Sequence, residues 1–220
     1  MKSLLFMKDI IFIYAVSAIL IFFAVNSYAA ETNYSHSTGD YTISYELRDD
    51  FQSISLEGGI SGGIGIDNSG LDHVISLLRK QKTVVLRLNS TGGMWDVIKK
   101  LHDALRNTCA GASDCHITTW VQSGDHCNSA CIPLFMAGDA RIAAPDAHFG
   151  FHKASYVVGP FTFDQPGTYE KMLKDNGVNA AWVDSHPELF ASTKILEGVS
   201  YLTPDQLEGS GIVTGVDGNN

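Results

Sequence analysis

Two successive strand–turn–helix units constrain the fold of this chain more than any other feature of its sequence. Residues 83–88 (TVVLRL) predict a β-branched, apolar strand, which residues 89–93 (NSTGG) are expected to end. Apolar positions at helical spacing follow between residues 97 and 105, which predicts an amphipathic helix. The order then repeats, with a strand at residues 117–121, a turn at 124–128 and a short apolar helix at 130–137. Such units predict an α/β fold with parallel strands and right-handed crossovers.

The segments around these two units give weaker signals. Residues 30–40 are polar and predict a loose leader, whereas residues 41–45 alternate apolar with polar side chains as a half-buried strand does. The other expected elements are a strand at 53–56, a helix from Leu71, a strand near 148–152, an aromatic insertion at 155–166, and helices around 169–173 and 180–185.

The first 29 residues have the composition of a secretory signal peptide. Lys2 and Lys8 give a basic start, residues 10–25 are almost continuously apolar, and Ser27 and Ala29 place small residues before the expected cleavage site. The alternative is an uncleaved membrane anchor, although a spanning helix usually needs about 20 apolar residues. We therefore divide the chain into a signal peptide (1–29), a leader with the first strand (30–52) and an α/β domain (53–220).

The charge of the chain argues against a nucleic-acid partner. The net charge is −9, and removal of residues 1–29 takes away two lysines and one aspartate, which makes it −10. A negative chain without a Lys/Arg cluster repels phosphate backbones.

The four cysteines, at positions 109, 115, 127 and 131, all follow the predicted signal peptide. An even number of cysteines in an exported chain predicts disulfides, with three possible connectivities. We expect the local pairs Cys109–Cys115 and Cys127–Cys131. The alternative is a metal site that also uses His116 and His126, but neither cysteine pair has the two-residue gap of a zinc knuckle. We expect no metal and no cofactor.

Ser129 stands where a glycine-containing turn meets an apolar helix, in the sequence GDHCNSAC (residues 124–131). Pro133 places the helix start near Ser129, because proline is tolerated in a first turn and breaks a helix further along. Free amides at a helix start can stabilise an oxyanion, so Ser129 is a candidate nucleophile. The alternative is that Ser129 is only a helix cap, a position that serine favours.

Gly92 strengthens the first of these two interpretations. In parallel neighbouring strands, Leu88 and Val121 would end side by side, and the Gly92 and Ala130 amides could both face one carbonyl oxygen. His152 then supplies a general base, since a neutral imidazole can take the serine proton. His148 lies two residues earlier on the same pleat face and is expected to be solvated or packed, and His126 is a possible groove residue.

These motifs together resemble the proteolytic subunit of the Clp protease, a family with a crotonase-like spiral of βαβ units. The matching segments, in the order of the family, are LNSTGG (88–93), SA (129–130), LFMAG (134–138), RIAAPD (141–146), FGFH (149–152), YLTP (201–204) and GIV (211–213). The resemblance covers about residues 53–213. It implies that Ser129 is the nucleophile, that His152 is the base, and that the Gly92 and Ala130 amides form the oxyanion hole.

The sequence departs from the family at the third member of its catalytic triad. The position of the family's aspartate falls on Val199, and Glu197 and Asp184 are the possible substitutes. Loss of the orienting carboxylate costs about 10⁴ in rate in a related triad, so either slow catalysis or a Ser–His dyad is expected.

The expected function is an ATP-independent serine peptidase of the bacterial envelope, periplasmic or secreted, that acts on peptides or unfolded protein. Ring-like self-assembly is typical of the family, and membrane association is expected only if residues 1–29 are retained. The main alternative is an inactive module that binds extended peptides on the same fold. Acyl-CoA chemistry is disfavoured, because export removes that substrate and the pair Ser129 and His152 has no role in it.

Overall fold

The computed structural model describes residues 32–60, 67–158, 161–164, 167–191 and 198–217, with the backbone alone for 156–158 and 161–164. The predicted signal peptide, residues 1–29, lies outside the described residues. Residues Asn33–Asn220 belong to one compact unit.

The described elements include twelve strands and five α-helices, and strands alternate with helices over residues 51–121. The strands are β1 (Asn33–Ser37), β2 (Tyr41–Leu47), β3 (Phe51–Ile60), β4 (Thr83–Gly93), β5 (Ile117–Val121), β6 (His126–Asn128), β7 (Ala140–Ala143), β8 (His148–Phe151), β9 (Ser155–Val158), β10 (Phe161–Asp164), β11 (Ser200–Leu202) and β12 (Gly215–Val216). The helices are α1 (Ser69–Leu77), α2 (Trp95–Thr108), α3 (Cys131–Phe135), α4 (Thr168–Asp175) and α5 (Ala180–Ser185), with 3₁₀ turns at Pro187–Phe190 and Pro204–Leu207.

Ten of these strands form one mixed sheet. Its main path runs β1-β2-β3-β4-β5-β7-β12, in which β1, β2 and β3 are antiparallel neighbours and the steps from β3 to β12 are parallel. The parallel steps from β3 to β4 and from β4 to β5 are bridged by α1 and α2. The α/β class predicted from the sequence is therefore confirmed.

The end of β4 remains paired with β3 on one side and pairs with β6 on the other, where a branch of the sheet begins. Ser90 pairs with Cys127 of β6, β6 runs parallel to β8, and β11 is antiparallel to β8. This branch matters for function because β6 leads directly into Ser129, and β8 leads directly into His152.

Alternating burial shows which face of the sheet carries the core. On β4, Val84, Leu86 and Leu88 are 0%, 0% and 1% exposed, while Val85 between them is partly exposed and Arg87 is exposed. The apolar stripe of α2, which includes Ile98 and Leu101, belongs to the same buried cluster. Burial of a leucine side chain contributes about 1.5–3 kcal/mol, so this stripe fixes α2 against the sheet.

Two predictions about the first half of the chain need correction. The polar stretch expected to be a loose leader contains β1, which pairs with β2 along its whole length. The NSTGG segment was expected to end β4, but the strand continues through it to Gly93.

Two disulfides join the cysteines as predicted. Cys109, directly after α2, bonds to Cys115, just before β5, and Cys127 of β6 bonds to Cys131 of α3. The structure leaves no cysteine free, so the metal site suggested as an alternative would lack thiolate ligands. Disulfides persist in oxidising compartments, which indicates a location outside the cytoplasm. Among the described residues, every helix is too short or too polar to cross a bilayer.

Candidate active site

Ser129 occupies a strained turn between β6 and α3. Its φ of +54° lies in the left-handed region, which residues other than glycine seldom adopt. The Ser129 amide donates to the Gly150 carbonyl at 2.8 Å, and its carbonyl accepts from the Ile132 amide at 3.0 Å and the Tyr169 hydroxyl at 2.8 Å. A serine held in such a turn between a strand and a helix is the arrangement that exposes a nucleophilic hydroxyl in many hydrolases.

The amide that follows Ser129 is a free donor. Ala130 is 2% exposed and caps α3, whose first residue is Cys131. Within the described part of the chain the Ala130 amide has no hydrogen-bond acceptor. Pro133 lies in the first turn of α3, as predicted. The Ala130 amide is therefore an unpaired donor directly after Ser129.

Gly92 lies beside the Ser129 turn, as expected if the two parallel strands end side by side. A Cβ at Gly92 would stand 2.4 Å from the Asn128 carbonyl oxygen and 2.9 Å from both the Ala130 amide nitrogen and the Ser129 Cβ. Since real Cβ atoms do not approach other atoms this closely, and since φ is +87° here, the position requires glycine.

The Gly92 amide itself is already engaged. It donates to Ser90 Oγ at 3.1 Å, and Ser90 Oγ donates in turn to the Gly58 carbonyl at 2.6 Å. The Ser90 side chain thus bridges the irregularity in the pairing of β3 with β4 between Glu57 and Gly59. Of the two predicted oxyanion donors, Ala130 is free in this structure and Gly92 is not.

His152 is buried, with 8% of its surface exposed, directly after β8. Its Nδ1 lies 2.7 Å from the Lys153 carbonyl oxygen. A carbonyl can only accept, so the Nδ1 nitrogen carries the hydrogen and the Nε2 nitrogen of the neutral ring keeps its lone pair. This is the tautomer that a general base needs.

Two residues, Gly150 and Tyr169, connect Ser129 to His152. Gly150, which accepts from the Ser129 amide, is two residues before His152, and the Tyr169 ring is stacked on the His152 ring with centroids 5.8 Å apart. Between these two described side chains there is no direct hydrogen bond. Such bonds are often long in unliganded enzymes and tighten when substrate binds.

The structure places Val199, where the resemblance leads one to expect a triad carboxylate, beside His152. Ser200 of β11 pairs with Phe151 of β8, so Val199 lies one step further along the ladder, beside His152. A Cβ at Gly150 would meet the Val199 Cγ1 at 2.8 Å, which places this side chain on the pleat face shared by Gly150 and His152.

Of the two suggested substitute carboxylates, the structure describes only Asp184, and this side chain is engaged elsewhere. Asp184 is 68% exposed and is paired with Lys174 of α4. Glu197 lies outside the described residues. Among the described residues, the Lys153 carbonyl is the acceptor that orients His152.

Two site residues were missed from the sequence. Asn128 precedes the nucleophile, is 6% exposed, and has a buried Oδ1 without a partner among the described residues, close to Gly150. Tyr169 lies 40 positions after the residue to which it bonds, so no local pattern indicates the contact.

His126 and His148 are paired across β6 and β8, at the end of β6 farther from Ser129. Desolvation lowers the pKa of His126, opposed by the charge of Asp125 and supported by that of His148. Desolvation, together with the charge of Glu57, raises the pKa of Asp125. No cluster of three or more metal-ligating side chains occurs among the described residues.

No protein-family model and no curated protein matches this sequence.

Proposed function

We propose that this chain is an exported, ATP-independent serine peptidase of crotonase-like spiral fold that acts on peptides or unfolded protein. The observation that carries the proposal is the Ser129 turn. A serine at φ +54° is followed by a free, buried amide at Ala130. Tyr169 contacts both this serine and a buried histidine, His152, which is in the tautomer of a base.

The chemistry follows from this arrangement. The Ser129 hydroxyl attacks the carbonyl carbon of a peptide bond while the His152 Nε2 accepts its proton. The Ala130 amide donates to the oxygen on which negative charge develops, an interaction whose loss costs about 10²–10³ in rate in comparable enzymes. The imidazolium then protonates the leaving amine, and water hydrolyses the acyl-enzyme by the same route in reverse.

The orienting group is the weakest part of this site. A neutral carbonyl, that of Lys153, replaces the carboxylate that usually stabilises the imidazolium. We therefore propose a Ser–His dyad with slow turnover. The two disulfides support action in the bacterial envelope, and ring-like self-assembly belongs to the same proposal as a property of the family that the sequence resembles.

Degradation of a fluorescently labelled, permanently unfolded casein tests the proposal. The oxidised wild type should release peptides, and Ser129→Ala and His152→Ala should each abolish the release while melting like the wild type. Equal release by the wild type and the Ser129→Ala variant would show that the activity comes from a contaminant.

A peptide-binding module without catalysis is the second candidate function. The valine at position 199 and the lack of a direct bond between Ser129 and His152 favour it. The same labelled casein distinguishes the two, because a binder raises the fluorescence polarisation of the substrate without cleaving it, and does so equally in Ser129→Ala.

A further inference from the structure

We propose that Tyr169 is a positioning residue that fixes the position of the nucleophile, Ser129, relative to the base, His152. This inference rests on the proposed function, since it assigns a role to a residue outside the dyad. Tyr169 lies on α4, a helix that contributes no side chain to the proposed chemistry.

The first contact of Tyr169 is a hydrogen bond from its phenol to the strained turn at Ser129. The Tyr169 hydroxyl donates to the Ser129 carbonyl at 2.8 Å. The only other donor to that carbonyl in the described structure is the Ile132 amide, at 3.0 Å. A residue in the left-handed region persists only where its surroundings hold it, and the phenol is one of the groups that do so here.

The second contact of Tyr169 is between its ring and the ring of His152. The planes of the Tyr169 and His152 rings are inclined by 19° with centroids 5.8 Å apart, which is a stacked arrangement. Phe190 packs against another side of the tyrosine ring at 5.9 Å, with the planes inclined by 71°. Tyr169 is 2% exposed, so its ring has little freedom to move away from the histidine.

One side chain therefore contacts both members of the dyad. Because Ser129 and His152 are not bonded directly to each other in this structure, their relative position depends on the groups that they share. A misplacement of about 1 Å can cost about 10² in rate, so a residue that fixes both partners controls the rate of attack. Burial raises the pKa of the Tyr169 phenol well above its usual value, and the group thus stays a donor over the working range of a hydrolase.

The two contacts can be removed separately. Tyr169→Phe keeps the ring and loses the donor, whereas Tyr169→Leu loses both. We expect the rate constant for reaction of Ser129 with a fluorophosphonate to fall about 10-fold in the first variant and about 100-fold in the second, at a temperature where all proteins are folded.

Tyr45 offers a matched control. It is also 2% exposed, and its hydroxyl donates to a backbone carbonyl, that of Leu77, at 3.2 Å. Tyr45→Phe should lower the melting temperature about as much as Tyr169→Phe does and leave the fluorophosphonate rate within twofold of the wild type. If Tyr45→Phe and Tyr169→Phe lose fluorophosphonate rate in proportion to their loss of melting temperature, Tyr169 contributes only packing and the inference is wrong.

Nuclear magnetic resonance separates this inference from the proposed function. Tyr169→Phe should shift the amide resonances of Ser129 and Ala130 and leave the His152 ring resonances in place, and Tyr169→Leu should shift both sets. If the wild type does not react with fluorophosphonate, the peptidase proposal fails while these spectra still decide the role of Tyr169. Unchanged spectra in both variants would refute that role.

Discussion

Substitution of Val199 by aspartate should increase catalysis at Ser129. The side chain at this position lies on the pleat face shared with His152, one step beyond the pairing of Ser200 with Phe151. A carboxylate there can accept from the His152 Nδ1 in place of the Lys153 carbonyl. It also stabilises the imidazolium that forms when the serine is deprotonated.

The size of the effect follows from the charges and the exposure of the site. Two unit charges about 4 Å apart attract by about 4 kcal/mol at an effective dielectric constant of about 20. Val199 is partly exposed, so solvent screening and desolvation of the new carboxylate reduce this to about 1–2 kcal/mol. A gain of that size in the transition state corresponds to an increase of about 5- to 30-fold in rate.

Hydrolysis of an activated ester measures the gain without knowledge of the substrate sequence. The turnover number of Val199→Asp should exceed that of the wild type by about 10-fold, and the increase should vanish when Ser129→Ala is added. Val199→Asn is the matched control, because it has the shape of aspartate without the charge. Equal turnover in Val199→Asp and Val199→Asn, with both proteins folded, would refute the placement of His152 as the base.

Three further outcomes follow from the structure. Gly92→Ala should lower the melting temperature and abolish reaction of Ser129 with fluorophosphonate, because its Cβ would stand 2.4 Å from a carbonyl oxygen; retained reactivity would contradict this. Joint replacement of Cys127 and Cys131 by alanine should slow the reaction of Ser129 with fluorophosphonate at least tenfold, because the Ser129 turn loses the disulfide that flanks it. Joint replacement of Cys109 and Cys115 by alanine is the control and should not slow the reaction. Finally, the buried phenol of Tyr169 has a raised pKa, so its contribution to stability is present below about pH 10 and is lost as pH rises through the folded-state pKa. Urea unfolding at pH 9 and pH 11 should therefore show a smaller loss in Tyr169→Phe than in the wild type, and equal losses would contradict the burial argument.

The sequence predicted those parts of the fold in which apolar periodicity is strong. The bounds of β5 (Ile117–Val121) are as expected, the amphipathic helix predicted between residues 97 and 105 is α2 (Trp95–Thr108), and β4 pairs in parallel with β5. These elements bury regular apolar faces, and such faces are visible in the chain itself.

Elements without such a face were missed. The strand β1 (Asn33–Ser37, NYSHS) carries little apolar surface and exists because its backbone pairs with β2 at the edge of the sheet. The end of β4 has the composition of a turn, yet Gly92 and Gly93 adopt positive φ values that let the strand continue.

The sequence also predicted part of the candidate site, namely the residues that come after regular strands. Ser129 and Gly92 follow predicted strands, so parallel pairing was enough to bring them together. The bond from Tyr169 to the Ser129 carbonyl and the engagement of the Gly92 amide by Ser90 depend on side-chain positions that no spacing in the sequence specifies.

The mass of the oxidised protein after treatment with a fluorophosphonate tests the central claim most directly. We expect one covalent adduct per chain, located by peptide mapping on Ser129, and no adduct in Ser129→Ala or His152→Ala. An unmodified wild type, or an adduct on any other residue, would contradict the assignment of Ser129 as a nucleophile activated by His152.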